Sequence, residues 1–280
     1  MGAYMAENLV RAGHPLTVWN RTPGRAVHLV ELGAVEAASP AALAAHCDIV
    51  IACVTDAPQV EEVLFGEGGV IEGVRAGTLF IDCSTISPTK AREFAERLSH
   101  HGVAMLDAPV SGGSEGARLA TLTIMVGGDP TDVERASGVL ASMGSTVNHL
   151  GALGAGQWAK AVNQVILAGT YLAVAEGVTL ALKAGLDAEK IVGALAGGAA
   201  GSWVLQNRSG RMIDDDYPIG FKISLHRKDL GIALELARDV GAVLPVTALA
   251  ATFEDGLIAQ GHGDDDNSAL ARSVRTLSGL

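Results

Sequence analysis

Three stretches carry residue types and spacings able to do chemistry. In Gly154-Ala155-Gly156-Gln157-Trp158-Ala159-Lys160-Ala161-Val162-Asn163-Gln164, the polar residues Lys160, Asn163 and Gln164 stand at i, i+3 and i+4, so a helix puts them on one face. Their neighbours are Trp, Ala, Val and Ile, so the lysine emerges from an apolar surface. Desolvation there lowers a lysine pKa towards the range of a general acid–base. The plainer alternative is a stem that packs while the ammonium reaches water. In Asp107-Ala108-Pro109-Val110-Ser111-Gly112-Gly113, a hydroxyl stands beside two glycines whose amides can cradle a carboxylate. The same string can also make an ordinary turn. The third stretch, Gly220-Phe221-Lys222-Ile223-Ser224-Leu225-His226-Arg227-Lys228-Asp229-Leu230, is a basic cluster opening an amphipathic helix, and alone it reads as a solvated face.

The elements that must position these residues fall into two groups. Up to about Leu150, short Val/Ile-rich runs alternate with amphipathic segments. The expected strands are 16–19, 48–54, 78–83, 104–106, 122–126 and 147–149. Alternation of this kind predicts an α/β fold with a doubly wound, mainly parallel sheet. Ser39-Pro40 and Ser87-Pro88 each place a capping hydroxyl before a proline at a first helical position. Beyond Gly156 no strand pattern is evident. Residues 158–184 read as one helix of roughly 27 residues, about 40 Å long, followed by helices over 188–196, 203–212, 225–240, 245–260 and 269–277. The expected organisation is a Rossmann-like nucleotide-binding domain over 1–151 and an all-α domain over 152–280. Asp264-Asp265-Asp266 is expected to be a solvated turn.

The opening Met1–His14 is a helix with no strand before it, and Pro15–Thr22 then forms a strand with a polar end. A Rossmann unit runs strand, Gly-x-Gly-x-x-Gly, helix, strand and ribose-reading residue. Only the last glycine, Gly2, and the elements after it are present, so the first strand of the sheet is expected to be missing. Asn20-Arg21-Thr22 occupies the ribose-reading position. Arginine there can pair with a 2′-phosphate, which favours NADP(H) and leaves NAD(H) possible; otherwise Arg21 is a solvated turn residue. Val54-Thr55 and Thr85 lie at strand C-terminal ends, where open α/β sheets bind ligands.

The bulk numbers narrow the partners. With 49% hydrophobic and 18% charged residues, the 280-residue chain has material for packed cores. A formal charge of −11 argues against nucleic acid or an anionic membrane as a partner. Cys47, Cys53 and Cys83 have neither metal-knuckle nor redox-pair spacing, and the eight histidines form no ligand-spaced cluster. No signal peptide or membrane span is expected, which makes the cytoplasm the default location.

Taken whole, these strings resemble the β-hydroxyacid dehydrogenase family. The opening is similar to the tail of that family's Gly-x-Gly-x-Met-Gly fingerprint, Asp107–Gly113 to its substrate-binding signature, and Gly154–Lys160 to its Gly-x-Gly-x-x-x-Lys signature. On this resemblance the sequence begins at the methionine inside the fingerprint; the alternative is a true start at Met1 and a sheet lacking its central strand. The resemblance implies that Ser111, Gly112 and Gly113 hold the substrate and that Lys160 exchanges the proton at its carbonyl oxygen. Many members have Asn at i+4 from this lysine, where this chain has Gln164, so which of Asn163 and Gln164 contacts substrate is open. It further implies that Phe221 walls the pocket, Lys228 reaches the nicotinamide end of the cofactor and Asp229 braces the site. Within the family, 163–166, 201–205, 220–230 and 241–247 look most like the tartronate semialdehyde reductases. The implied reaction reduces a small carboxylate-bearing aldehyde such as tartronate semialdehyde to the hydroxyacid, here glycerate. The rivals are 3-hydroxyisobutyrate dehydrogenase or a glyoxylate or succinic semialdehyde reductase, an imine reductase, against which Lys160 argues, and a non-catalytic binding protein. The long apolar helix suggests a homodimer or homotetramer.

Overall fold

The computed structural model describes all 280 residues. The chain divides into two compact units, Met1–Lys160 and Ala161–Leu280, with separate hydrophobic cores. The division falls inside a helix, one turn past its start.

The first unit runs α1 (Gly2–Arg11), β1 (Thr17–Val18), α2 (Val27–Glu31), β2 (Val35–Glu36), α3 (Pro40–Ala44), β3 (Ile49–Ala52), α4 (Ala57–Phe65), α5 (Val70–Gly73) and β4 (Leu79–Asp82). It continues with α6 (Pro88–Ser99), β5 (Ala104–Asp107), β6 (Val110–Ser111), α7 (Gly113–Arg118), β7 (Thr123–Gly127), α8 (Pro130–Met143), β8 (Thr146–Gly151) and the start of α9 (Ala155–Lys183). Ser39 and Ser87 cap α3 and α6 as their Ser-Pro pairs predict, accepting from Ala42 N at 3.1 Å and Lys90 N at 3.2 Å.

The strands form two sheets. β1 and β2 pair in parallel, and a second sheet has the order β3-β4-β5-β7-β6 with β8 alongside β7. No strand pairing joins the two-stranded sheet to the larger one. The large sheet is mixed rather than mainly parallel. Past Asp107 the chain continues in the same direction through Ala108-Pro109 into β6, and β5 and β6 both pair antiparallel with β7, through Asp107↔Gly127, Val110↔Ile124 and Ser111↔Thr123. Every residue of β4 is buried, as expected for a strand covered on both faces. Leu79, Ile81, Leu106, Ile124 and Leu140 pack in one cluster, and Phe80, Ile86, Phe94 and Leu98 in another.

The second unit holds the rest of α9, then α10 (Ala188–Leu195), α11 (Trp203–Asp214), α12 (Ile223–Val240), α13 (Pro245–Ala259), a 3-10 turn (Asn267–Ala269) and α14 (Leu270–Leu277). By length and composition α9 is apolar enough to cross a membrane, contrary to the expectation that no segment would be. It sends Ala168, Tyr171, Leu172, Ala175 and Val178 into the core of this unit, which is the geometry of a core helix. The acidic cluster also departs from expectation. Asp264 is exposed and pairs with Lys222, but Asp266 is fully buried. Asp266 accepts the Phe221 amide at 3.0 Å and lies 3.2 Å from the Arg211 guanidinium, so the turn is anchored rather than solvated.

Candidate active site

In the first unit, β5 and β6 are joined by Ala108-Pro109, and this connection carries the signature that ends in Ser111-Gly112-Gly113. Gly112 and Gly113 have φ of 128° and 62°, values a side chain disfavours, and they swing the chain from β6 into α7. Lys160 is buried, and its ammonium donates to the Val110 carbonyl at 2.9 Å. The lysine is thereby fixed at the residue before Ser111. Packed stem and tethered head together exclude the solvated-lysine alternative.

The start of α9 is tied down by a residue that the site expectations left out. Asp107, fully buried at the end of β5, accepts from the Gly154 amide through Oδ1 and from the Gln157 amide through Oδ2, both at 2.7 Å. Burial pushes its carboxyl up to about 6, against the amide hydrogen bonds that pull it down. Gln157 is buried too; it donates to Ser84 O at 2.8 Å and accepts from Ile86 N at 3.1 Å. No sequence signal marks these partners, because they are mostly backbone groups tens of residues away.

The C-terminal ends of β3 and β4 lie side by side, Ala52 opposite Asp82. Val54, Thr55 and Thr85 follow them, and the Val54 amide donates to Ser84 Oγ at 3.0 Å. Gly2 opens α1 against this edge, where a Cβ would stand 3.5 Å from that of Cys53. The helix has no side-chain cap, so its first-turn amides are the kind of donor that receives a pyrophosphate. Asn20, Arg21 and Thr22 are exposed after β1; Asn20 donates to Thr22 O at 2.9 Å, and Arg21 lies 3.6 Å from Glu62. An exposed pair at that distance is weak enough for a phosphate to displace. Uncapped amides, strand-end hydroxyls and an exposed guanidinium fit a dinucleotide.

In the second unit a single polar chain links four expected residues. Asn163 donates to Gln164 Oε1 at 2.8 Å, and Gln164 donates to Asp229 Oδ2 at 2.6 Å. The ammonium of Lys228 pairs with Asp229 Oδ1 at 2.9 Å. Gln164 and Asp229 are buried, whereas Asn163 and Lys228 are partly exposed. Phe221 sets its ring edge-on to His226, with centroids 5.8 Å apart. His226 and Glu254, both fully buried and 2.6 Å apart, are a further pair that sequence reading missed.

A dinucleotide-binding α/β unit continued by a helical unit, with a tethered lysine beside a Ser-Gly-Gly turn, defines an NAD(P)-dependent oxidoreductase. Residues 1–151 match the NAD-binding domain of 6-phosphogluconate dehydrogenase, and residues 154–274 match the NAD-binding domain of NADP-dependent 3-hydroxyisobutyrate dehydrogenase. The 2-hydroxy-3-oxopropionate reductase of Escherichia coli (strain K12) is 41% identical over 278 residues, covering 99% of this chain and 95% of that protein. The NAD-dependent L-serine dehydrogenase of Pseudomonas aeruginosa is 36% identical over 279 residues, 97% of this chain and 94% of its own. The structure of Mycobacterium tuberculosis 3-hydroxyisobutyrate dehydrogenase with L-serine superposes with a TM-score of 0.88 at 36% identity, covering 98% of this chain and 96% of that one. The chain belongs to the β-hydroxyacid dehydrogenase family.

Proposed function

We propose that this protein reduces a short semialdehyde acid to its β-hydroxyacid, tartronate semialdehyde to glycerate, with Lys160 as the proton donor. The observation that carries this reading is the buried Lys160 ammonium on the Val110 carbonyl, adjoining Ser111. The cofactor supplies the hydride when bound. Ser111, Gly112 and Gly113 hold the substrate carboxylate, and Lys160 gives its proton to the oxygen of the reduced carbonyl. In the reverse direction Lys160 takes that proton back. Asn163 and Gln164, further along the same helix, orient the substrate, and Phe221 walls it. Gly2, Asn20, Arg21, Thr22, Val54, Thr55 and Thr85 hold the dinucleotide, with Lys228 at its nicotinamide end and Asp229 bracing Lys228. Arg21 favours NADPH over NADH, because a guanidinium pairs with a 2′-phosphate. The choice of tartronate semialdehyde rests on the 41% identity to the Escherichia coli reductase. The three cysteines are free, which suits a reducing compartment, and we place the protein in the cytoplasm.

The test is oxidation of NADPH and NADH against tartronate semialdehyde, glyoxylate, succinic semialdehyde and methylmalonate semialdehyde, for wild type and Lys160→Ala. Wild type is expected to turn over tartronate semialdehyde fastest, with NADPH. Lys160→Ala should lose about 100-fold or more in kcat while still binding cofactor. Preference for another aldehyde overturns the substrate, undiminished turnover overturns the role of Lys160, and absence of cofactor binding overturns catalysis altogether.

We further propose a homodimer formed through the second unit. Val165, Ile166, Gly169, Val243 and Val246 line a groove of about 750 Å³, with Ile166 63% and Val243 85% exposed. A contiguous apolar surface of this kind marks an interface. Sedimentation equilibrium should give a dimer or tetramer, and a monomer overturns the proposal.

A further inference from the structure

We propose that Asp107 is the positioning residue for Lys160: its buried carboxylate caps the first turn of α9 from outside the helix and fixes where the lysine amine stands against Val110 and Ser111. The inference rests on the reading of Lys160 as proton donor.

The first amides of a helix have no intrahelical acceptor, and a carboxylate both accepts from them and complements the positive end of the helix dipole. In α9 that carboxylate comes from β5. Both oxygens of Asp107 are committed, one to Gly154 N and one to Gln157 N, each at 2.7 Å. Lys160 is one turn beyond Gln157 on the same helical face. Its amine returns to Val110 O, three residues beyond Asp107 in the chain. The 107–111 segment therefore grips α9 at two points, its first turn and the lysine head. Ser111 is the next residue of that segment, so this grip sets the distance between proton donor and substrate turn.

Two glycines clear the space. A Cβ on Gly127 of β7 would collide with Asp107 Oδ1 and stand 2.8 Å from the Ala155 amide. A Cβ on Gly156 would stand 2.9 Å from Asp107 Oδ2 and would collide with the Met125 carbonyl. Gln157 adds a second latch through Ser84 and Ile86.

The arrangement has a pH signature. Protonating Asp107 turns one acceptor oxygen into a donor that faces an N–H, which releases one end of the clamp. Its carboxyl, pushed up to about 6 by burial, does this at a mildly acidic pH. The charged or titratable groups on the surrounding elements are Asp82 opposite it on β4, Arg92 of α6 beside Gly154, His149 of β8 and Lys160 itself. None of them is among the causes of its shift, which are burial and backbone amides. In aldehyde reduction Lys160 must be protonated, a requirement that acid does not remove. A fall in kcat below pH about 6 is then the mark of Asp107.

The experiment compares wild type, Asp107→Asn and Lys160→Ala by three readouts. These are the acetylation rate of Lys160 under limiting acetic anhydride, amide hydrogen exchange over residues 153–160, and kcat and KM from pH 5 to 8. Asp107→Asn keeps the shape but sets an NH₂ against an amide. It is expected to expose the Lys160 amine to acetylation several-fold faster and to speed exchange over 153–160. It should also lower kcat on the order of 100-fold with little change in KM, and abolish the acid limb. If the variant does not fold, wild type at pH 7 and pH 5 supplies the same contrast: acetylation corrected for amine ionisation and exchange corrected for intrinsic rate must both rise at pH 5. Unchanged acetylation and exchange, in Asp107→Asn or across that pH range, overturn the proposal, as does a wild-type kcat flat from pH 5 to 8. Undiminished turnover by Lys160→Ala would overturn only the proton-donor reading, because acetylation and exchange report the position of Lys160 without using catalysis.

Discussion

Gln164 of α9 donates to Asp229 of α12 at 2.6 Å, joining two side chains that are 65 residues apart in sequence and almost wholly buried. The other oxygen of Asp229 pairs with Lys228, so one carboxylate both staples two helices and holds the ammonium we assign to the cofactor. Replacing Gln164 by Leu leaves a buried carboxylate short of a hydrogen bond, a loss of about 1–3 kcal/mol. The expected outcome is lower stability in denaturant unfolding together with a raised KM for the dinucleotide, because Asp229, released from Gln164, holds Lys228 more tightly. Unchanged stability would mean that the contact is not made in solution.

Glycines at 127 and 138 make opposite predictions from the same substitution. A Cβ on Gly127 has no room, since Asp107 and the first amides of α9 already fill the space. Gly127→Ala is therefore expected to destabilise by about 1–3 kcal/mol, as overpacking does. Gly138 is an interior residue of α8 with nothing within 4 Å of its Cβ position. Gly138→Ala should stabilise by about 0.5–1 kcal/mol through helix propensity alone. Thermal or urea unfolding of the two variants checks both signs.

The regular part of this fold was legible because it is periodic. Ile49–Ala52, Leu79–Asp82 and Thr123–Gly127 are mostly apolar runs long enough to register, and Ser39 and Ser87 announce their helices. The strands Val35–Glu36 and Val110–Ser111, of two residues each, carry no period and were not anticipated. The mixed sheet was not legible either, because it comes from the direction of β7, antiparallel to both β5 and β6, which no residue pattern announces. Lys160 and the Ser-Gly-Gly turn were legible as residue types, but their connection through Val110 O was not, because a carbonyl is the same at every position. Asp107 was hidden for the same reason, as its hydrogen bonds go to backbone amides. The misreading of Asp266 is instructive in the other direction. Three consecutive aspartates look solvated in sequence, yet a neighbouring guanidinium and the Phe221 amide make burial of one of them tolerable.

His226 and Glu254 are paired at 2.6 Å with no solvent exposure at either side chain, and each retains one buried atom, Nε2 and Oε2, without a hydrogen-bond partner. The pair joins α12 to α13 one turn before Asp229, and Phe221 packs edge-on against the imidazole. A buried polar pair of this kind contributes little net stability against well-packed apolar side chains, but removing one partner strands the other. His226→Leu and Glu254→Met are each expected to lower stability by about 3–5 kcal/mol. The double variant fills the same volume and strands nothing, so it should recover most of that loss. A double-mutant cycle by urea unfolding measures the coupling. Recovery in the double variant, with turnover retained, would assign the pair to helix packing; recovery of stability with turnover still depressed would assign it to holding Phe221 and the Lys228–Asp229 end of α12 in register. Simple additivity of the two losses would show that the two side chains do not act as a pair.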